Sequence, residues 1–216
     1  PPTDAAVIDP ITGIVTNGTS GASYDIVYVT NGTCPANSDE NLIVLTTDDA
    51  SFDMIPTCDG GTANIIGVVG GAFSFSIPPS DLAVIDPITG TVTSGTSGVS
   101  YNILYTTNGT CPASSVDTLT ILITDDASFV LTSTCDGGTA NITGVIGGTF
   151  SFAIPPSDAA IIDPITGTVS NGTFGNTYDI LYTTSGICPG DSLQSLTALN
   201  QDDPTFTITP NCDGGI

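Results

Sequence analysis

The feature that most constrains this chain is an internal repeat of 77 residues. The string Ile-Asp-Pro-Ile-Thr-Gly begins at Ile8, Ile85 and Ile162, so both steps are 77 residues (85 − 8 and 162 − 85). Acidic pairs and two series of cysteines recur with the same step. Three coincident series at one period indicate tandem copies of a single structural unit.

The acidic pair Asp-Asp marks the start of each repeat in this interpretation. It predicts two complete repeats, at 48–124 and 125–201. Residues 1–47 are then the back part of one repeat, and residues 202–216 are the start of another. Because the repeat does not divide the 216 residues evenly, we expect the chain to be a segment of a longer array.

The pattern within a repeat is typical of β-structure throughout. Short runs of alternating apolar and polar residues, rich in β-branched side chains, are separated by Gly, Pro and Asp turns. In the first complete repeat these runs predict seven strands, at 50–55, 62–68, 73–77, 82–85, 90–92, 100–107 and 118–124. Seven short strands without helical periodicity predict an all-β fold, with one Ig-like β-sandwich of 77 residues per repeat. An odd strand number puts the two termini of a repeat at opposite ends, so we expect a rod or filament.

Charge excludes several classes of partner. The chain has 22 acidic residues and no Lys, Arg or His, for a formal net charge of −22. Contacts to nucleic-acid phosphates depend on Lys and Arg, so a nucleic-acid partner is excluded. The same reasoning excludes anionic membrane surfaces, and no apolar run is long enough to insert into a bilayer. Hydrophobic residues make up 39% of the chain, which is sufficient for a folded core.

The sequence lacks most of the side chains that enzymes use for catalysis. The absence of His, Lys and Arg removes the common general bases, Schiff-base amines and oxyanion-binding cations. We therefore expect neither an enzyme nor an organic cofactor.

Calcium is the cofactor that the sequence favours. Ca²⁺ takes six to eight oxygen ligands, chiefly carboxylates and carbonyls, and the chain offers carboxylates near the predicted repeat junctions without a balancing cation. The candidate ligands are Asp48, Asp49, Asp59, Asp81, Asp86, Asp125, Asp126, Asp163, Asp202 and Asp203. The alternative is that Asp serves here as a turn-forming and solubilising residue.

The cysteines fall into two series, and disulfides in an oxidising compartment are expected from two cysteines per repeat. The candidates are Cys34, Cys58, Cys111, Cys135, Cys188 and Cys212. Pairing within a repeat would join Cys58 to Cys111 and Cys135 to Cys188. The strand count instead favours a bridge between neighbouring repeats, from Cys58 to Cys188. Both alternatives stay open on the sequence, as does the possibility of free thiols.

Residues 83–107, AVIDPITGTVTSGTSGVSYNILYTT, carry a family resemblance. An Asp-Pro-x-Thr-Gly hairpin, a Gly-Thr pair and a Tyr-led strand resemble the Ig-like and cadherin-like repeats of large bacterial surface proteins. The Cys-Pro after that strand and the Gly-Gly-(Ala/Thr)-Phe-Ser segment are similar to repeats of giant adhesins of gliding Bacteroidetes. The resemblance implies secretion, a cell-surface or extracellular location and calcium-dependent stiffness. Asp-Thr-Leu at Thr118 and Asp-Ser-Leu at Ser192 resemble the short O-glycosylation motif of the same bacteria.

Three functions remain in view on the sequence. The leading hypothesis is a non-catalytic structural module of an extracellular adhesin, stalk or filament, whose partners are neighbouring repeats and other copies. The first alternative is a glycan- or ligand-binding module, with Tyr24, Tyr101 and Tyr178 as contacts. The second is a self-assembling sheath or S-layer subunit, in which strands of a neighbouring copy complete the partial repeats. The sequence indicates no adhesion target.

Overall fold

The computed structural model describes residues 3–215, and every regular element in this range is a β-strand. The chain divides into two compact units, Pro1–Leu122 and Ile123–Ile216. The boundary lies two residues before the repeat start predicted at Asp125. The repeat limits, 48–124 and 125–201, stay a prediction.

Twenty strands follow one another along the described residues. In chain order they are β1 Val7–Ile8, β2 Val15–Thr16, β3 Ser23–Val29, β4 Asn37–Ile43, β5 Phe52–Pro56, β6 Gly61–Ile65, β7 Ala72–Phe75, β8 Val84–Ile85, β9 Val92–Thr93, β10 Ser100–Thr106, β11 Ser114–Thr120, β12 Phe129–Thr134, β13 Gly137–Ile142, β14 Thr149–Phe152, β15 Ile161–Ile162, β16 Val169–Ser170, β17 Thr177–Thr183, β18 Asp191–Thr197, β19 Pro210–Asn211 and β20 Gly214–Gly215.

Each complete repeat is a β-sandwich of seven antiparallel strands. In the first, a four-stranded sheet has the order β5-β6-β9-β8 and a three-stranded sheet the order β11-β10-β7. The second repeats this arrangement with β12-β13-β16-β15 and β14-β17-β18. Numbered from its first strand, each repeat therefore has the A-B-E-D and C-F-G sheets of the Ig constant-type fold. The predicted fold class, all-β with Ig-like sandwich repeats, is confirmed.

The two sandwiches have equivalent cores. Tyr101, Ile103 and Tyr105 alternate along β10 and are 6%, 0% and 0% exposed, as their sequence alternation predicts. The rings of Phe52 and Phe73 contact edge to face with centroids 5.5 Å apart. The Phe129 and Phe150 rings of the second sandwich form the equivalent contact at 5.4 Å.

Two segments contain only part of this arrangement. Residues 3–47 hold two separate antiparallel pairs, β1 with β2 and β3 with β4. They correspond to the last four strands of a repeat. Residues 202–215 hold the short pair of β19 and β20, which corresponds to its first two strands.

The last strand of the repeat differs from the prediction. Residues 118–124 were expected to form it, but β11 runs from Ser114 to Thr120 and Ile123 is 77% exposed. The inward positions at the start of β11 are polar, so hydrophobic alternation did not reveal them. Ser115 donates its hydroxyl to the carbonyl of Ala50 (2.5 Å), and Asp117 accepts the amide of Met54 (2.7 Å).

Candidate functional site

A tyrosine and an aspartate form a latch at the start of β10. The Tyr101 hydroxyl donates to Asp81 Oδ2 at 2.5 Å and accepts the amide of Thr96 at 2.9 Å. The Thr96 hydroxyl donates to the same carboxylate oxygen at 2.6 Å. The position of Tyr101, near the start of the sixth strand and bonded to backbone a few residues upstream, is that of the Ig tyrosine corner.

The latch recurs in the second complete repeat and in the partial repeat at residues 3–47. Tyr178 donates to Asp158 Oδ2 at 2.6 Å, and Tyr24 donates to Asp4. Hydrogen bonds from Thr96 and Tyr101 lower the pKa of Asp81 to about 2. The equivalent bonds lower the pKa of Asp158, chiefly through Tyr178. Burial, together with the Asp81 carboxylate, raises the pKa of Tyr101.

The Asp-Pro-Ile-Thr-Gly hairpins use their aspartate as a turn former. Asp86 Oδ1 accepts the amides of Ile88 and Thr89 at 2.8 and 3.0 Å. These two bonds, that of Thr89 first, lower the pKa of Asp86. Gly90 closes the turn at φ +67°, a conformation that glycine adopts without strain. Asp163 has the same environment.

The acidic pairs at 48–49 and 125–126 accept hydrogen bonds within their own repeats. Asp48 Oδ2 accepts the amide of Gly109 at 3.1 Å, although 61 positions separate the two residues. Asp49 Oδ1 accepts the amide of Ser51 at 2.9 Å. Asp125 and Asp126 repeat these bonds with Gly186 and Ser128, and Asp203 accepts the amide of Thr205.

Most of the candidate calcium ligands therefore accept hydrogen bonds from donors of the protein itself. Asp59, for example, accepts the Thr57 hydroxyl at 3.3 Å. Within the part of the chain that the structure describes, no three acidic, His or Cys side chains come together as a group that could hold a metal ion. A bound calcium ion would need six to eight oxygens, so carbonyl or water oxygens would have to join these carboxylates to hold one.

The six cysteines differ in their covalent state. Cys58 and Cys188 are each disulfide-bonded. Cys34, Cys111, Cys135 and Cys212 are free thiols. Cys111 and Cys135 are the partners that pairing within a repeat requires, so that pairing does not account for the bonded cysteines.

The residues considered for glycan contact and glycosylation lie in the strands. Tyr101 and Tyr178 are 6% and 5% exposed, so neither offers a ring face to a sugar. Thr118 is exposed on β11, but its hydroxyl donates to Asn102 Oδ1 at 2.9 Å. Ser192 is half-buried on β18. The glycosylation of Thr118 and Ser192 stays a prediction.

Sequence reasoning missed the latch and the bond between Asp48 and Gly109. A signal for the latch was present, because a Tyr follows an Asp by 20 positions in all three repeats (24 − 4, 101 − 81 and 178 − 158). Every buried side-chain nitrogen and oxygen among the described residues has a hydrogen-bond partner. The buried polar side chains of the described residues thus form hydrogen bonds within the fold. No helix in the described range is long and apolar enough to span a bilayer.

No protein-family model and no curated protein matches this chain in sequence. Solved structures with some likeness are cadherin repeats. Human CDH23 EC21-23 is 14% identical with a TM-score of 0.30, over 89% of this chain and 81% of that one. Mouse PcdhgC3 EC1-3 is 11% identical with a TM-score of 0.30, over 83% and 77% of the two chains.

Extracellular cadherin domains 3-6 of protocadherin gamma B2 are 12% identical with a TM-score of 0.29, over 84% of this chain. This chain spans 59% of that structure, less than two thirds of its length. A similarity this low carries no inference about function.

Proposed function

We propose that this chain is a non-catalytic structural module of an extracellular surface adhesin, stalk or filament. The observation that carries the proposal is the repetition of one complete sandwich, with the same core, turns and latch at equivalent positions. The recurring polar residues hold turns and strand ends through hydrogen bonds within their own repeat. Such an arrangement supports an array in which each repeat adds length.

The glycan-binding alternative is less well supported by the same residues. Its aromatic contacts, Tyr101 and Tyr178, belong to the core, and the chain has no Trp. The sheath or S-layer alternative stays a prediction.

We propose further that one disulfide joins Cys58 to Cys188 and so links consecutive repeats. Both residues are bonded and the other four cysteines are free. The pair is 130 positions apart (188 − 58), and the same step from any other cysteine of its series falls outside residues 1–216. This step accounts for the four free thiols.

Peptide mapping without reduction tests the pairing. Trypsin has no site in a chain without Lys and Arg, so cleavage before Asp is the suitable choice. It would place Cys58 in peptide 53–58 and Cys188 in peptide 179–190, apart from Cys111 in 86–116 and Cys135 in 126–135. A cross-linked 53–58 and 179–190 pair is expected. A link from 53–58 to 86–116 would contradict it.

We also propose that calcium binds at the repeat junctions. This proposal is supported by the net charge of −22 without any Lys, Arg or His, since bound cations would relieve the repulsion among carboxylates. No further step of the proposed function depends on the metal.

Single-molecule stretching of the chain, held at its two termini, tests the structural role. With the disulfide reduced, we expect two force-resistant unfolding steps of similar length, each releasing roughly 270 Å or less, the reach of 77 extended residues. Without reduction the bridged loop cannot extend, so the released length should be shorter. Extension without resolved steps would contradict an array that resists mechanical force.

A further inference from the structure

We propose that Asn108 is a site of self-modification, at which the side-chain amide is lost as ammonia with the Asp48 carboxylate as general base. The chain contains four Asn-Gly pairs, which begin at Asn17, Asn31, Asn108 and Asn171. In such a pair the backbone nitrogen of the glycine can attack the side-chain carbonyl carbon of the asparagine, because glycine has no side chain to obstruct the approach. The pairs of the two complete repeats, at Asn108 and Asn171, lie in different surroundings.

The Asn108-Gly109 pair lies in the connection between β10 and β11, and Asn108 is exposed. The amide of Gly109 donates to Asp48 Oδ2 at 3.1 Å. This distance is within hydrogen-bond reach, which is the geometric condition for a general base. The nitrogen that must lose its proton in the reaction therefore already donates that proton to a carboxylate.

The same contact favours glycine at position 109. A Cβ on Gly109 would lie 2.4 Å from Asp48 Oδ2. A Cβ on Gly186, the equivalent residue of the second repeat, would lie 2.1 Å from Asp125 Oδ2. Distances this short would require the carboxylate or the loop to move. The bond to the carboxylate thus favours the residue that leaves a preceding asparagine reactive.

The reaction balances without an oxidant or a cofactor. The Gly109 nitrogen forms a bond to Cγ of Asn108, the bond from Cγ to Nδ2 breaks, and a succinimide ring closes. The proton of the Gly109 amide passes to Asp48 and then to the departing nitrogen, which leaves as ammonia. Water then opens the ring at either carbonyl and leaves an aspartyl or an isoaspartyl residue at position 108.

Asn171 provides a contrast within the same molecule. It begins the same Asn-Gly-Thr sequence as Asn108 and is also exposed. The amide of Gly172 donates at 2.8 Å to the backbone carbonyl of Asp136, which accepts a hydrogen bond but is not a base at neutral pH. A Cβ on Gly172 would lie 2.6 Å from the Tyr178 hydroxyl, so this glycine is packed against a core side chain. We therefore expect Asn171 to retain its amide far longer than Asn108.

Serine replaces asparagine at the equivalent position of the other repeat in each case. Ser185 of the second repeat precedes an amide that donates to Asp125 Oδ2 at 3.1 Å. Ser94 of the first repeat precedes an amide that donates to the carbonyl of Asp59 at 2.7 Å. Serine has no amide to lose, so these positions offer one site with the carboxylate and one site without it, each lacking only the asparagine.

The modification would change the start of the first complete repeat and leave that of the second unchanged. A carboxylate at position 108 adds a like charge to the loop whose amide Asp48 binds. An isoaspartyl residue also adds a methylene to the backbone between β10 and β11. Because Ser185 cannot react, the second repeat retains its original loop, and the reaction makes two otherwise equivalent repeats chemically distinct.

Incubation of the full chain at neutral pH in water enriched in oxygen-18 tests the proposal. Ring opening incorporates one labelled oxygen atom at each modified asparagine, and mass spectrometry of peptides cut before Asp locates it. Asn108 falls in peptide 86–116 and Asn171 in peptide 163–178. We expect label at Asn108 roughly 10-fold or more faster than at Asn171, a modest share of the roughly 10²–10⁴-fold that general bases contribute in enzymes.

The unfolded chain is the control for the sequence itself. In denaturant the two Asn-Gly-Thr segments have no fixed surroundings, so Asn108 and Asn171 should react at similar rates. The same difference in denaturant as in the folded chain would contradict the role of the fold.

Three substitutions separate the base from the loop. Asp48→Asn keeps an oxygen acceptor for the amide but removes the base, so the rate at Asn108 should fall roughly 10-fold. Ser185→Asn should create a second site that reacts like Asn108. Ser94→Asn is the matched control without a carboxylate, and its new asparagine should react as slowly as Asn171.

Equal rates at Asn108 and Asn171 in the folded chain would overturn the proposal. An unchanged or faster rate at Asn108 in the Asp48→Asn chain would also overturn it, since the carboxylate would then not act as a base. Equal rates at the asparagines introduced at positions 185 and 94 would do the same. None of these results bears on the structural role of the repeats, which is tested by the stretching of a single chain.

Discussion

At the scale of single residues, the Asp81–Tyr101 pair shows how a carboxylate is stabilised in a protein without cations. Two hydroxyl groups donate to Asp81 Oδ2, at 2.5 and 2.6 Å, and take the place of a basic partner. Hydrogen bonds to the charged form favour it, which is why the pKa falls. At Asp158 the Tyr178 hydroxyl donates at 2.6 Å and the Thr173 amide donates at 3.0 Å, so a carboxylate stabilised by uncharged donors recurs in the second repeat.

The latch predicts a dependence of stability on pH at both extremes. The pKa of Asp81 falls from 3.8 to about 2 on folding, so its contribution is complete above about pH 4 and is lost as the pH falls through 2. The pKa of Tyr101 rises above 10.0, so its contribution is present below pH 10 and is lost at higher pH. Thermal unfolding across pH, with tyrosinate absorbance at the alkaline end, measures both. A midpoint unchanged between pH 4 and pH 2 would contradict the acid branch.

Tyr101→Phe isolates the hydroxyl of the latch. The substitution removes the bonds to Asp81 and Thr96 and retains the buried ring, so we expect a loss of about 1 kcal/mol in the free energy of unfolding, measured by chemical denaturation. Tyr28→Phe is the control, because Tyr28 is 69% exposed and should change stability little. Equal effects of the two substitutions would count against the latch.

The candidate site could be predicted from the sequence only in part, for a reason that lies in single residues. The turn-forming role of Asp86 follows from its Asp-Pro-Ile-Thr-Gly context. The role of Asp48 does not, because its donor Gly109 is 61 positions away and contact follows only from the folded sandwich.

At the scale of secondary-structure elements, β7 contributes the ring of Phe73 to the core, where it contacts Phe52 of the opposite sheet, edge to face, at 5.5 Å. Phe73 is 3% exposed and stacks on Tyr105, with centroids 4.5 Å apart. Phe73→Ala should reduce the free energy of unfolding by about 3–5 kcal/mol, since it removes a buried ring and leaves a cavity. Ile77→Ala is the matched control, because Ile77 lies just beyond β7 and is 71% exposed. Denaturant titration compares them, and a large loss with Ile77→Ala would contradict the strand boundary.

The strands that the sequence predicts well are those whose inward residues are apolar. Tyr101, Ile103 and Tyr105 alternate on β10, and the predicted strand differs from the observed one by a single residue. β11 was misplaced because Ser115 and Asp117 face inward against β5, where polar side chains bond to backbone. Such positions are decided by pairing between strands that are distant in the sequence. Local hydrophobic alternation does not reveal that pairing.

At the scale of the whole molecule, the disulfide should contribute to the stability of the array. Cross-linking a long loop restricts the unfolded chain and typically stabilises by about 3–5 kcal/mol. Reduction should therefore lower the unfolding midpoint in calorimetry. Alkylation of the exposed free thiols of Cys34, Cys135 and Cys212 is the control, and it should leave the midpoint in place. An unchanged unfolding midpoint on reduction would show that the disulfide does not stabilise the fold.

Calcium is tested on the same chain by calorimetry with calcium and then with excess EGTA, without reduction. If calcium ions bound at specific junctions relieve the repulsion in a chain with 22 carboxylates, EGTA should lower the unfolding midpoint. Magnesium at equal ionic strength should not replace calcium. Equal midpoints in calcium and EGTA would leave Asp as a turn former and solvated charge.

The central claim is that a strand of this chain is stable because a complete repeat encloses it. Hydrogen exchange measures this directly, because β3, β10 and β17 have nearly the same sequence in different surroundings. In dilute solution we predict slow exchange of the amides of Ile103 and Ile180, which are 0% exposed, and fast exchange at Ile26 in β3, since a lone hairpin is marginally stable. Equal protection of all three strands would contradict the account.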